Sequence, residues 1–410
     1  MNSNKNIPQL RFPGFTGEWE EKKLGDVCNL INGMAFKPSD WRKEGLPIVR
    51  IQNLNNEKSE FNYCDPDIVD SKYIIDDGTL LFSWSGTPGT SFGAYVWNRG
   101  KAALNQHIFI VKPKDIEKYF LRMSIDANMS AIIEKSHGGA GLRHITKSEL
   151  EDISIFVPSN SSEQLKIAEC LSEIDNQIVA QGEKVEALKE KKKGMTQQMF
   201  PQQGETTPRL RFPGFTEEWV EKNFSEVFTR RTEKNAENNK NVLTISAQYG
   251  LISQLEFFKK SVSAADVTGY YLLHKGDFAY NKSSSQGKPV GAIKPLKLYD
   301  KGVVSTLYIV FRCKDPNAIG FWEQYFDAGI FDKEIMSIAQ EGARNHGLLN
   351  VPTNDFFNLK VLTPNPSEQL KIAKCLSAMD DMIASESAKL DALKDHKKGL
   401  MQQLFPQPNK

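Results

Sequence analysis

Cysteine is sparse in this chain of 410 residues, with five scattered at Cys28, Cys64, Cys170, Cys313 and Cys375. No two form a C-x-x-C pair and the number is odd. Neither a disulfide framework nor a zinc site is indicated, and a cytoplasmic location is expected. Long apolar runs are missing as well. Nothing approaches the ~20 residues of a membrane span, and Met1 to Gln9 has no apolar core of the signal-peptide kind, so no membrane partner is expected. A surplus of positive charge is also absent: 52 Lys and Arg stand against 51 Asp and Glu. That excludes a binder that is basic in bulk, but not one that gathers its charge on one face.

Motifs of catalysis are missing too. "SQGKP" around Lys288 lacks the upstream glycine and the hydroxyl residue of a phosphate-binding loop. "HGGAGLRH" (His137 to His144) is not G-x-G-x-x-G and follows a helical stretch. There is no H-E-x-x-H and no G-x-S-x-G. "PDIVDSK" (Pro66 to Lys72) looks superficially like a nuclease signature, but its carboxylates are too close in sequence to come from separate strands, so it reads as a turn-rich loop. No catalytic residue, metal site or cofactor of its own is expected for this chain.

What the sequence does contain is a duplication. "LRFPGFT" occurs at Leu10 to Thr16 and again at Leu210 to Thr216, with Trp19 and Trp219 following in step. Pro13-Gly14 and Pro213-Gly214 read as tight turns. "SEQLKIA" starts at Ser162 and returns at Ser367, and the copies run in step to "MFPQ" at Met199 and "LFPQ" at Leu404. Between these blocks lie two inserts of about 140 residues, each domain-sized, that share almost nothing. A kept frame with two diverged inserts suggests one mount carrying two different readers.

The second repeated block is a heptad helix. Its seam is Leu171, Ile174, Ile178, Val185, Leu188, Met195 and Met199, with Gln181 and Lys192 in the two remaining positions. The copy repeats it with Leu376, Met379, Ile383, Leu390, Leu393, Leu400 and Leu404, with Glu386 and Lys397 in those places. Ser162 and Ser367 read as N-caps, and Pro201 and Pro406 as stops. Each helix would be about 55 Å long. The pattern fits two helices covering each other antiparallel, or each packed on its own globular domain.

Both inserts read as mixed α/β. "DGTLLFSWSG" and "KGDFAYNKSS" are turns leading into apolar strands, and "HIFIVKP" and "TLYIVFRCK" are further strands. Helical stretches follow near Tyr119 to Ser136 and Phe321 to Gln340, then Gly-rich loops. The expected fold is α+β, with two globular α/β domains in pseudo-two-fold arrangement separated by two long antiparallel coiled-coil helices. Candidate DNA-contacting residues in the first insert are Arg50, Gln52, Asn53, Ser83, Ser85, Arg143 and His144. In the second they are Lys282, Ser284, Gln286, Lys288, Arg344, Asn345 and His346. Arg and Lys pair with guanine edges, and Asn and Gln with adenine edges, in the major groove.

The two "SEQLKIA" helices, the two "RFPGF" segments and the "LPIVRIQNLN" and "LLFSWSGT" strands together resemble the specificity subunit of type I restriction–modification systems. The resemblance implies an N-terminal anchor (1–17), a first target recognition domain (18–158) and a central spacer helix (162–200). It further implies a linker with the repeated anchor (201–217), a second recognition domain (218–363) and a C-terminal spacer helix (367–405). Each domain would read one half of an asymmetric bipartite site in double-stranded DNA, with the helices setting the gap. Two modification subunits and two restriction subunits would be the partners. S-adenosylmethionine, ATP and magnesium would belong to them. A DNA-modifying enzyme would need a cofactor motif that is absent. A two-headed scaffold or ligand-binding protein without DNA specificity would share the repeat layout.

Overall fold

The computed structural model describes residues 6–56, 58–139, 141–202, 204–246, 250–258, 266–284, 288–341, 347 and 349–406. The chain forms two units of α+β structure, one made of residues 1–182 and 388–410, the other of 183–387. Two helices are far longer than the rest, Ser161–Met199 and Pro366–Leu404. Each begins in one unit and ends in the other. No helix among the described residues is long and apolar enough to cross a membrane.

In the first unit, the main sheet has the antiparallel strand order Cys28–Asn32, Ile108–Pro113, Thr79–Ser83, Gly93–Trp97. Its central strands are buried on both faces, so they read as near-continuous apolar runs. Alternation still sorts their side chains. Leu80, Phe82, Phe109 and Val111 enter the core that holds the helices. Leu81, Ile108 and Ile110 enter a core shared with a second sheet. That sheet runs Asn62–Cys64, Leu46–Val49, Ala102–Leu104, Ile74–Ile75, with its middle pair parallel.

The second unit repeats this plan with other residues. Its main sheet runs Phe228–Arg231, Ile309–Cys313, Asp277–Asn281, Ala292–Pro295. Phe278, Tyr280 and Phe311 face the helix side, and Ala279 and Val310 the other. The second sheet is divided into two antiparallel pairs, Leu243–Ser246 with Gly250–Ser253 and Tyr271–His274 with Lys301–Val304. Its parallel link is reduced to one bridge, Val242 to Val303. The helical stretches expected after each sheet are interrupted, giving Lys118–Ala127 and Met129–Lys135 in one unit, Ile319–Asp327 and Asp332–Ile338 in the other. Gly329 in the second gap has φ +72, a conformation that glycine adopts most readily.

The repeated blocks form the same clasp twice. Arg11 bonds Glu163 through Nε–Oε1 at 2.7 Å and Nη2–Oε2 at 2.8 Å. Arg211 bonds Glu368 with the same atoms at the same distances. Both glutamates are buried in the first turn of a long helix, where the helix dipole also favours a carboxylate. The Leu10 amide donates to the Gln403 carbonyl, and the Leu210 amide to the Gln198 carbonyl. Trp19 packs edge-on against Phe405, and Trp219 against Phe200. Each unit thus holds the start of one long helix and the end of the other. That arrangement is why the whole peptide is spelled twice: its arginine grips a helix start while its leucine and the following tryptophan grip a helix end.

Within each unit the two helix segments run antiparallel. In the first, Lys397 pairs with Asp175 at 2.6 Å, and Arg122 joins the same carboxylate at 2.9 Å. In the second, Lys192 pairs with Asp380, and Gln324 donates to it at 2.8 Å. The two polar seam lysines therefore have carboxylate partners, which pins the register. Leu171, Ile174, Val185, Met199, Leu376, Met379 and Leu404 are buried. Both readings of the heptads hold, since the segments pair with each other and also pack on the globular cores. One expectation is corrected. The caps are Asn160, whose Oδ1 accepts from the Ser162 amide, and Asn365, which accepts from the Glu368 amide. Ser162 and Ser367 already lie inside the helices, because each asparagine reaches the free amides first.

Candidate nucleic-acid interface

Several chain segments of the first unit meet at one end of its main sheet. Strands end there at Asn32 and Ser83, and another starts at Ile108. The Trp84 amide donates to the His107 carbonyl at 3.1 Å, and the Ile145 amide donates to the Trp84 carbonyl at 3.0 Å. A three-stranded ribbon sets Arg143 opposite Gly86 and His144 opposite Ser85. The Asn105 amide donates to the Val49 carbonyl, which brings the neighbouring Arg50 to the same end.

Of the candidate residues, Ser85, Arg143 and His144 are brought together on the ribbon. Arg143 is half-buried and donates from Nη1 to the Ser136 carbonyl at 3.1 Å. His144 is exposed, with its ring 5.7 Å from that of His137. His137 Nε2 lies 2.6 Å from Glu149 Oε1. Hydrogen bonds from Thr146, then from His137, hold the Glu149 carboxyl down at about 2. Arg50 donates to Asn62 Oδ1 at 2.9 Å and lies 5.6 Å from the centre of the exposed Trp41 ring. Gln52 is exposed on the short helix that follows.

Two candidates do not reach the surface. Asn53 is 1% exposed; its Oδ1 accepts from the Arg50 amide and its Nδ2 donates to the Ser59 and Glu60 carbonyls. Ser83 is 0% exposed and donates to the Ser85 carbonyl. Both polar groups are needed where the chain turns at a buried strand end. Sequence reasoning chose polar types and so passed over Trp84. Its Nε1–H donates to Asn32 Oδ1 at 2.9 Å and its ring lies 4.7 Å from that of His107. His107 has φ +75, which no pattern in the sequence announces.

The second unit carries two of its candidates, Lys282 and Ser284, at the matching end. The Leu349 amide donates to the Lys282 carbonyl at 3.0 Å, and the Ser284 amide to the Gly347 carbonyl at 2.7 Å. Ser284 is exposed and Lys282 half-buried. Burial lowers the Lys282 pKa, and no carboxylate pairs with it among the described residues. Lys288 is committed elsewhere, donating to the Asp327 carbonyl at a helix end. Gln286, Arg344, Asn345 and His346 lie outside the described residues. Among the described residues no cluster of His, Cys, Asp and Glu could hold a metal ion. Pro66 to Lys72 forms two short turns, in which Asp65 and Asp70 accept from backbone amides.

The architecture is thus that of a duplicated α/β scaffold with two long helices and unlike loop ends. Residues 16–190 match the family described as the type I restriction modification DNA specificity domain. The chain is 27% identical over 201 residues to the type I restriction enzyme MjaVIII specificity subunit of Methanocaldococcus jannaschii, covering 48% of this chain and 44% of that protein. The chain spans about half the length of the curated relatives it matches. The fold is similar to the crystal structure of the type I restriction-modification system S subunit from M. genitalium. There the TM-score is 0.58 and the identity 13%, over 98% of this chain and 100% of that one. A chain solved in work on complex assembly and conformational transition of the type I R-M system matches at TM-score 0.51 and 14% identity, over 97% and 98% of the two chains. The family model over residues 16–190 and the curated relatives together support a type I restriction–modification specificity subunit.

Proposed function

We propose that this chain is the non-catalytic DNA-recognition subunit of a cytoplasmic type I complex. Each unit reads one half of an asymmetric, bipartite site in duplex DNA, and the paired helices set the gap between the halves. Two modification subunits dock on the repeated frame and methylate adenine at N6, and restriction subunits join through them. S-adenosylmethionine, ATP and magnesium are held by those partners. The observation that carries the reading is that one strand order recurs in both units while the residues at its loop end differ. A frame built twice with unlike ends suits two unlike half-sites. Docking on the frame is supported by apolar residues left exposed at matching positions, Leu10 and Leu210 at 41% and 42%, Leu165 and Leu370 at 48% and 42%. Near-neutral total charge is compatible with this if the partners supply much of the phosphate contact.

The test is to co-express the chain with the modification subunit of its system and map methylated adenines across the host DNA. A gapped, asymmetric motif with one mark in each half is the expected result. An assembled complex that leaves no new motif would overturn the proposal and favour a scaffold without DNA specificity.

A further inference from the structure

Trp84 and Lys282 occupy the same place in the two units. Each lies two residues beyond a fully buried aromatic, Phe82 or Tyr280, that closes the core end of its strand. Each lends its carbonyl to one amide of the returning loop, Ile145 or Leu349. Beneath this place the core keeps its apolar character, with Phe109 and Val111 answered by Ile309 and Phe311. At the place itself the chemistry changes from neutral aromatic to cation. Its neighbour changes in step: His107, two residues before Phe109, is answered by Leu307, two before Ile309 and 56% exposed.

The two side chains are held in different ways. Trp84 is anchored by Asn32 and braced by the His107 ring. His107 keeps a left-handed backbone that a non-glycine residue adopts only where its surroundings impose it. They do so here, since the Gln106 amide is tied to the Met34 carbonyl and the His107 carbonyl to the Trp84 amide. A rigid, apolar ring face at a strand end suits a methyl-bearing base edge. Lys282 is the reverse case. It is half-buried, so its ammonium has lost part of its water, and no carboxylate among the described residues replaces it. A partly desolvated cation with no carboxylate partner among the described residues is completed by an acceptor on a ligand, and the O6 and N7 edge of guanine offers two.

We propose that this place is the specificity-determining position of each unit: Lys282 contacts a guanine edge in one half-site, and Trp84, braced by His107, contacts a methyl-bearing thymine edge in the other. The proposal rests on the DNA-reading function above. To test it, the full chain carrying Lys282→Met or Trp84→Leu is co-expressed with the modification subunit, and methylated sites are mapped beside those of the unaltered chain. Lys282→Met should relax one G·C pair of one half-site by about tenfold, and Trp84→Leu one A·T pair of the other, each leaving the opposite half intact. Should Trp84→Leu fail to fold, His107→Asn removes the brace while tolerating the left-handed backbone, and should relax the same half-site. An unchanged motif in the folded variants, or relaxation of both halves by one substitution, overturns the proposal. Absence of any bipartite motif from the unaltered chain overturns the DNA-reading function instead.

Discussion

The first and second units share a strand order, a buried Arg–Glu clasp and an edge-on Trp–Phe contact, yet their cores are filled differently. The larger core of the second unit is dense with aromatic rings: Phe224 touches Phe228, Phe311, Phe331 and Phe356. That of the first relies more on Leu, Ile and Val. Topology therefore survives exchange of core side chains as long as apolar volume and alternation are kept. The clasps have not been exchanged at all. A bidentate, buried ion pair has no tolerant single substitution, because losing either partner alone strands a charge.

Three experiments sharpen that contrast, each with native-state hydrogen exchange reporting on the units separately. The largest effect is expected from removing the ring at the end of a long helix. Phe405→Ala should destabilise the first unit, and Phe200→Ala the second, by about 3–5 kcal/mol each. Loss confined in each case to the unit in which the helix starts would overturn the assignment of helix ends to units. A comparable or slightly smaller loss is expected when a clasp is broken. Arg11→Ala should cost the first unit, and Arg211→Ala the second, about 3–5 kcal/mol, because Glu163 or Glu368 is left buried and charged. Replacing both members of one pair by Met and Leu should recover most of it.

The smallest effect distinguishes the units by pH. Burial pushes the Asp126 carboxyl up to about 6, against the pull of Arg122 and Lys397 and with a further push from Asp175. In the second unit Ala328 lies four residues beyond Gln324, as Asp126 lies four beyond Arg122. A carboxyl raised in the folded state binds its proton more tightly there than when unfolded. It therefore adds stability below about 4, and that contribution is lost as pH rises through about 6. Asp126→Ala should flatten the change in the first unit between pH 7 and 5 and leave the second unit unaffected. A slope that persists in the variant would assign the titration to another group.

Much of this was legible because it is local. Heptad spacing from Leu171 to Met199 requires only a period of three and four, and the apolar runs of Thr79–Ser83 and Asp277–Asn281 only a strand buried on both faces. The duplication announced the frame, and with hindsight the clasp, since Arg11 and Glu163 both recur. Other features were displaced by neighbours in the chain. Asn160 and Asn365 took the capping role from Ser162 and Ser367, and Asn53 and Ser83 spent their polar groups inside the fold.

By itself, then, the sequence determined that there are two long seamed helices, two mixed α/β inserts and one frame used twice, because periodicity and repetition are properties of the chain alone. Only the tertiary structure decided that Phe405 completes the unit of Trp19 and Phe200 that of Trp219. Only it set the backbone of His107 against its preference and placed Trp84 and Lys282 in equivalent positions. Those outcomes depend on contacts between residues far apart in sequence, and no local pattern encodes which distant partner arrives.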